Sequence, residues 1–459
     1  MITRTEILQE IGRPRLRAIS VSLGMEVSTR KAKAEILSGL ISSRRFSTAE
    51  MLERLTHGEL KAICKRANVV PSSRDKAGYI HGLTGDDGTL LKAHIIASLR
   101  KQGFRHQKGR IVPPSFEDKE TIRTVHGLAV QHKRDRARAQ LMRYEKALLS
   151  RIAEGVSLDV TEIRPRLVEV VSDSEDELLF RYACLHWSIP ISSGYGRRLR
   201  FIVIDESNQK LVGVIGLGDP VFALSARDEW IGFTPASRKR RLQNIMDAFV
   251  LGAVPPYSYL LGGKLIAMLA ASNEVRERFK AKYGTHRSLI SGKTQDGDLA
   301  LLTTTSALGR SSIYNRIRYQ QRQLYTPIGY TRGFGDFQFL NGLYDEMLTY
   351  AKVNCSPTAK QLSWGAGFRN RREVVKKCLA SAGLPSDLLR HGVRRQIFVV
   401  PLALNAKQYL SGVDDTLQAF NFSADEMFGY FRERWMLPRA ARLQEFRAFR
   451  SEDYGLWIR

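Results

Sequence analysis

The side chains best suited to chemistry fall in three stretches of the middle of the chain. Arg227, Asp228 and Trp230 lie in VFALSARDEWIG, Tyr314, Asn315 and Arg318 in SSIYNRIRYQ, and Tyr330 and Arg332 in LYTPIGYTRGFG. Together they make a candidate core pocket. An Arg–Asp pair beside a Trp, inside a β-rich run, has two readings. Buried, it is a structural ion pair, because a charge leaves water only with a partner. Open to a cleft, Arg contacts phosphate and the aromatic rings stack on bases. If the core is catalytic, Asp228 and Tyr314 are the candidate groups. A metal-dependent nuclease needs clustered acids. Asp219, Asp228 and Glu229 are the close set, and their spacing matches no ligand motif.

Other chemistries leave no trace. The nine histidines are isolated, and Cys64, Cys184, Cys355 and Cys378 are scattered, so the reading assigns no metal, no disulfide framework and no cofactor. GxxxxGK[ST] is absent. Ser193-Gly194-Tyr195-Gly196 precedes a strand, whereas a nucleophile elbow follows one. Gly216-Leu217-Gly218-Asp219, followed by Pro220, reads as a bulge rather than a phosphate loop.

The elements that would position these groups alternate between strand and helix after Pro165. RPRLVEVVSD reads as a strand, and SEDELLFRYACLHWSI as a helix whose acidic first turn suits the positive end of the dipole. RRLRFIVIDESNQKLVGVIGLGDP reads as a hairpin turning at Asp205–Lys210. SRKRRLQNIMDAFVLGAV reads as one basic helix, and PPYSYLLGGKLIAMLAASNEVRERFKAKYG as a turn and a long helix. DLALLTTTSA is a strand, SSIYNRIRYQ a helix, and GFRNRREVVKKCLASAGL a basic helix stopped by Gly383. RRQIFVVPLALN is a strand over Ile397–Leu402, and an aromatic, Arg-rich helical tail follows. Upstream, 99–115 reads as a basic linker, and a long helix is expected from Phe116 to Ile152.

Charge separates the flanks from the middle. The net charge is +26; residues 1–150 hold 29 Lys and Arg against 15 Asp and Glu, residues 151–350 hold 25 against 21, and residues 351–459 hold 18 against 10. An excess of this size points to a polyanion, and double-stranded DNA is the expected partner. No run reaches the ~18 apolar residues of a membrane span, and MITRTEILQE has no apolar signal core. The expectation is a cytoplasmic protein with no membrane partner; self-association stays open.

The N-terminal flank repeats itself at an offset of 44. Leu16, Ala18 and Ile19 meet Leu60, Ala62 and Ile63; Ser28, Arg30 and Ile36 meet Ser72, Arg74 and Ile80. Such a period marks a duplicated supersecondary unit. Leu60, Ile63, Cys64 and Ala67 keep helical spacing, Pro71-Ser72-Ser73 breaks the helix, and Lys76, Tyr79, Ile80 and Leu83 continue. LTHGELKAICKRANVVPSSRDKAGYIHGL resembles a SAP module, a helix-link-helix motif that binds duplex DNA. The resemblance implies that Lys61, Lys65, Arg66, Arg74 and Lys76 face phosphates, and in the first copy Arg17, Arg30, Lys31 and Lys33. Arg134 and Arg138, in the later run QHKRDRARAQ, are further candidate DNA contacts.

Four segments carry a second resemblance: IGLGDPVFALSARDEWIGFTPASRKRRLQNIMDAFVLGAVPPYSYLLGGKLIAMLAA, ALGRSSIYNRIRY, YTPIGYTRGFGDFQF and RNRREVVKKCL…HGVRRQIFVVPLALN. In this order, over about 165–435, they resemble the DruA family. The resemblance implies a part in Druantia anti-phage defence, within an assembly that acts on DNA and includes the helicase-like protein DruE. The order of elements also resembles an acetyltransferase-like α/β fold, with Leu261-Gly262-Gly263-Lys264 opening a helix. Only Gly262-Gly263 remains of that superfamily's coenzyme-binding pattern.

The expected fold is therefore α+β. Residues 1–98 form two SAP-like repeats and 99–160 a basic linker and long helix. Residues 161–355 form an acetyltransferase-like core with a mixed sheet, and 356–459 a helical C-terminal part. The expected function is that of a DNA-binding structural subunit of the defence complex. The alternative is a cryptic enzyme, an acyltransferase or a nuclease, on the same core.

Overall fold

The computed structural model describes residues 4–28, 31–42, 48–71, 73–84, 88–107, 109–116, 118–191, 196–285, 297–355, 357–358, 364 and 368–457. Arg30, a candidate DNA contact, lies outside the described residues, as do Ser72, Ser193, Gly194 and Tyr195.

The repeat is longer than its sequence trace. Helices α1 (Arg4–Gln9), α2 (Arg13–Ser22) and α3 (Lys33–Ser42) are answered by α4 (Thr48–Leu52), α5 (His57–Arg66) and α6 (Lys76–Thr84). Ile7, Leu8, Ile11, Leu16 and Ile19 stand 44 residues before Met51, Leu52, Leu55, Leu60 and Ile63, and all ten are buried in one shared core. In the last helix the offset falls to 43. The buried pair Ile36 and Leu40 answers to Tyr79 and Leu83, and Ile80 is only half-buried. The alignment of Ile36 with Ile80 is thus one residue out, because the link before α6 is one residue shorter than the link before α3. Helix α7 (Thr89–Lys101) follows, then a hairpin of β1 (Arg105–Gln107) and β2 (Arg110–Val112).

The expected long helix is two. Asp118 caps α8 (Lys119–Leu141) through the Thr121 N–H, and a 3₁₀ turn separates it from α9 (Glu145–Leu149). Then come β3 (Pro165–Glu169), α10 (Glu175–Cys184), β4 (Arg198–Asp205), β5 (Lys210–Gly218), α11 (Ser225–Ile231), α12 (Pro235–Arg241), β6 (Ile245–Ala253), α13 (Gly262–Leu269), α14 (Asn273–Tyr283) and β7 (Leu301–Thr305). A small hairpin, β8 (Arg318–Tyr319) and β9 (Arg322–Gln323), precedes β10 (Thr326–Tyr330). Beyond lie α15 (Leu343–Asn354), α16 (Phe368–Ser381), β11 (Gln396–Pro401), α17 (Ala406–Ser411), α18 (Ala424–Phe431) and α19 (Leu437–Arg442).

Three expectations change. The run holding Arg227 and Asp228 is helix α11, not β structure. The basic helix expected over 237–254 ends at Arg241, and IMDAFVLGA is strand β6. SSIYNRIRYQ is no helix but a 3₁₀ turn at Tyr314–Arg316 leading into β8.

Among the described residues seven strands form one sheet in the order β10-β11-β7-β6-β5-β4-β3. Neighbours are antiparallel except β6 and β7, which are parallel. That pairing joins Ile245–Asp247 to Leu301–Thr303 and goes no further, although β6 continues to Ala253. Strands β4 and β5 are apolar on both faces because both are covered. Phe201, Val203, Val212 and Ile215 face the core built around α13, whereas Ile202, Ile204, Leu211 and Val214 face α10 and the end of α8.

The chain divides into two compact units, Met1–Ser115 with Phe334–His391, and Phe116–Gly333 with Gly392–Arg459. In the first, α7 packs on the later segment: Gln102 Nε2 donates to the Gln338 carbonyl at 2.8 Å and His94 Nδ1 meets Glu346 at 2.7 Å. No helix among the described residues is long and apolar enough to cross a membrane.

Candidate nucleic-acid interface and polar core site

The duplicated helices fix where their cations point. Thr56 accepts from the Glu59 N–H, and the Glu59 carboxylate accepts from the Thr56 N–H, so a capping box starts α5. From that start His57, Lys61 and Lys65 follow at i, i+4, i+8 and share one helix face. His57 Nε2 contacts the Arg74 carbonyl at 2.9 Å, which draws the link beside the first turn. Lys61, Lys65 and Arg74 are exposed. The first copy repeats the staple: Arg13 Nε donates to the Lys31 carbonyl at 3.1 Å, and Arg17, one turn on, is half-buried.

Other candidates are engaged in holding the repeat together. Lys33 Nζ donates to the Gln9 carbonyl at 2.9 Å, and Lys76 Nζ to the Glu53 carbonyl at 2.7 Å, the same contact in each copy. Arg66 pairs with Glu10 at 2.8 Å. Across the copies Arg15 pairs with Glu59 at 2.8 Å. Partial burial raises the Glu59 carboxyl, but the hydrogen bonds from Thr56 and Arg15 and the Arg15 charge outweigh it, so it lies below its ordinary value. In the other unit, Arg138 on α8 is exposed, whereas Arg134 is half-buried with Nε donating to the Leu185 carbonyl at 3.0 Å. The first unit holds +14 of the chain's +26 net charge.

The core candidates fall into two groups. Arg227 is fully buried on α11. Its Nε and Nη2 donate to Asp228 Oδ1 at 2.9 and 2.6 Å, and Nη1 and Nη2 donate to the carbonyls of Val221 and Phe222. Asp228 Oδ2 meets Arg238 at 3.3 Å and accepts from the Leu224 N–H at 3.2 Å. This set ties the loop ahead of α11 to the helix. Trp230 is half-buried against a small core that includes Ile231, Tyr409 and Leu410. The second group gathers round Gln396 on β11: Asn315 Nδ2 donates to Gln396 Oε1 at 2.9 Å, and the Tyr330 backbone pairs with Gln396. Tyr314 stacks on Tyr325 at 4.7 Å and meets Phe398 edge-on. Burial pushes its hydroxyl up to about 12. Arg318, Tyr330 and Arg332 are exposed, with the Arg394 guanidinium 5.3 Å from the Tyr330 ring centre.

Two polar groups escaped the sequence reading. Asp247 sits on β6 at the last residue paired with β7, accepting from Thr303 Oγ1 at 2.7 Å. Burial raises its carboxyl to about 6, while Thr303 and the Arg227 guanidinium hold it back. Arg197 grips Asp219 with Nε at 2.7 Å and its backbone N–H at 2.9 Å, lying over the rings of Phe279 and Tyr283. The available signal for Asp247 was a lone acid inside an apolar strand-length run.

A family model described as "Druantia protein DruA" matches residues 117–412. Among curated proteins, Druantia protein DruA of Escherichia coli (strain UMEA 4076-1) is 38% identical over 366 residues, covering 79% of this chain and 90% of that protein. No solved structure matches.

Proposed function

The chain belongs to the DruA family, and from that premise we propose that it is a structural subunit of a Druantia anti-phage defence assembly that binds double-stranded DNA beside the helicase-like DruE. The observation that carries the DNA reading is the exposed row of Lys61 and Lys65 with Arg74 at its head, in a SAP-like unit of strongly positive charge. Lys and Arg at such positions contact phosphates, which supplies affinity and salt dependence but little sequence choice. The assignment to the cytoplasm goes with this reading.

The test is fluorescence anisotropy of the full chain on a duplex of about 30 base pairs, titrated between roughly 50 and 200 mM salt. Binding should weaken steeply with salt. Replacing Lys61, Lys65 and Arg74 with Gln should weaken it at every salt concentration and flatten the log–log slope by about 2.7, at ~0.9 per lost phosphate contact. Binding unchanged in that variant would sink the proposed row, and no binding by the intact chain would sink the DNA reading.

A second reading, a cryptic acyltransferase or nuclease on an acetyltransferase-like core, is favoured by one feature. The one parallel pair among the described residues parts after Asp247 and Thr303, and α13, opened by Gly262-Gly263, packs on β6. Asp247 is then the better candidate group, since Asp228 is held by two arginines. Asp247→Asn should abolish phage defence while DNA affinity persists if the core is catalytic; retained defence would dismiss this reading.

A further inference from the structure

A cavity of about 360 Å³ opens in the second unit, bounded by α8, α10 and the sheet. Its walls follow from helix and strand periodicity. Lys133, Ala137 and Leu141 are one stripe of α8, and Glu177, Arg181 and Cys184 one side of α10. Arg198 and Arg200, two apart on β4, share a sheet face. Phe180 and Phe249 add aromatic surface, and the small Ala137 leaves the space open.

The polar lining is one-sided: four cations face one carboxylate. Glu177 takes Arg200 at 2.7 Å. Arg181 leans on the neutral Gln140 at 2.7 Å, and the Lys133 ammonium donates to the Ile191 carbonyl. Partial removal from water lowers the pKa of Lys133, so its charge would gain from an anion. Cys184, pushed up to about 12 by burial, stays a neutral thiol and part of the apolar wall. A pocket of this size with an apolar body and a few convergent charges fits a small ligand rather than a polymer.

We propose that this cavity binds a small organic anion with a flat apolar body, of the size and chemistry of a nucleoside monophosphate. Its phosphate lies against Arg198 and Arg181 at the mouth and its base against Phe180 and Phe249. The site is separate from the cationic row on α5 and does not rest on the DNA reading.

Isothermal titration of the full chain with AMP, GMP, CMP and UMP, beside adenosine and inorganic phosphate alone, tests it. At least one monophosphate should bind saturably at a single site, more tightly than either half. Arg181→Gln with Arg198→Gln, both exposed side chains, should weaken it about tenfold or more. Ala137→Phe, which fills the cavity without touching a charge, should abolish it, and Arg136→Gln, exposed on α8 outside the cavity, should leave it unchanged. Thermal melts of each variant establish that it is folded. Three results would overturn the proposal: no saturation by any monophosphate at about 1 mM, equal binding in the folded pocket variants, or inorganic phosphate binding as tightly as the nucleotides.

Discussion

At Arg227 a charge is kept in the protein interior by four hydrogen bonds, two to Asp228 and one each to the carbonyls of Val221 and Phe222. Removing Arg227 takes the donors from the Val221 and Phe222 carbonyls and leaves the buried Asp228 with Arg238, at 3.3 Å, and the Leu224 N–H. Arg227→Met should therefore destabilise the second unit by about 3–5 kcal/mol, read from the urea midpoint. Asp247 predicts a pH effect. Its folded pKa, about 6, lies above the ordinary carboxylate value, so the folded chain holds that proton more tightly than the unfolded chain. This contribution is complete below the unfolded value and is lost as pH rises through about 6. The stability of Asp247→Asn relative to the wild type should thus rise between about pH 4 and 6.5, by on the order of 3 kcal/mol. The Arg227–Asp228 pair was legible as a pair in sequence, because adjacent opposite charges flanked by Leu224 and Trp230 invite that reading. Asp247 was not, because an apolar run following a helical pattern without Gly or Pro continues the helix as readily as it begins a strand.

Elements were legible where local rules decide them. The β4–β5 hairpin, β7, β11, α10 and α16 stand where turn residues, β-branched runs and caps place them. The duplicated helices were visible through their apolar ridge, yet α1 and α4 were missed, since helices of six and five residues carry too few turns for periodicity to register. Capping gives a measurable consequence here. Thr56→Ala removes the acceptor for the Glu59 N–H and half of the reciprocal box at α5. It should cost the helical repeat about 1 kcal/mol, seen as a lower midpoint in thermal unfolding followed by circular dichroism.

At the scale of the whole chain, one unit is assembled from two distant segments. Residues 1–84 contain every member of the helical repeat's core, so that fragment alone should give a cooperative, strongly helical melt. A fragment of residues 1–115 lacks α15, on which α7 packs, and α7 amides in it should exchange freely with deuterium while those of α5 stay protected. Contacts such as Gln102 with Gln338 span 236 residues. No window of periodicity or turn chemistry reaches that far, and so the sequence showed basic flanks without showing that part of one returns to the other.

The interposition of α15 and α16 between β10 and β11 also sets an order on synthesis. As the chain leaves the ribosome, β7 emerges well before β11, its neighbour in the sheet. At roughly 5–20 residues per second, several seconds of translation separate them, and throughout that interval β7 shows a bare edge and β10 has no partner. The first unit waits on the same stretch, since its last residue, His391, emerges just ahead of β11. A nascent chain caught in that window would hold the helical repeat of residues 1–84 folded and the sheet still open, which makes the interval before β11 the moment at which a chaperone would matter most.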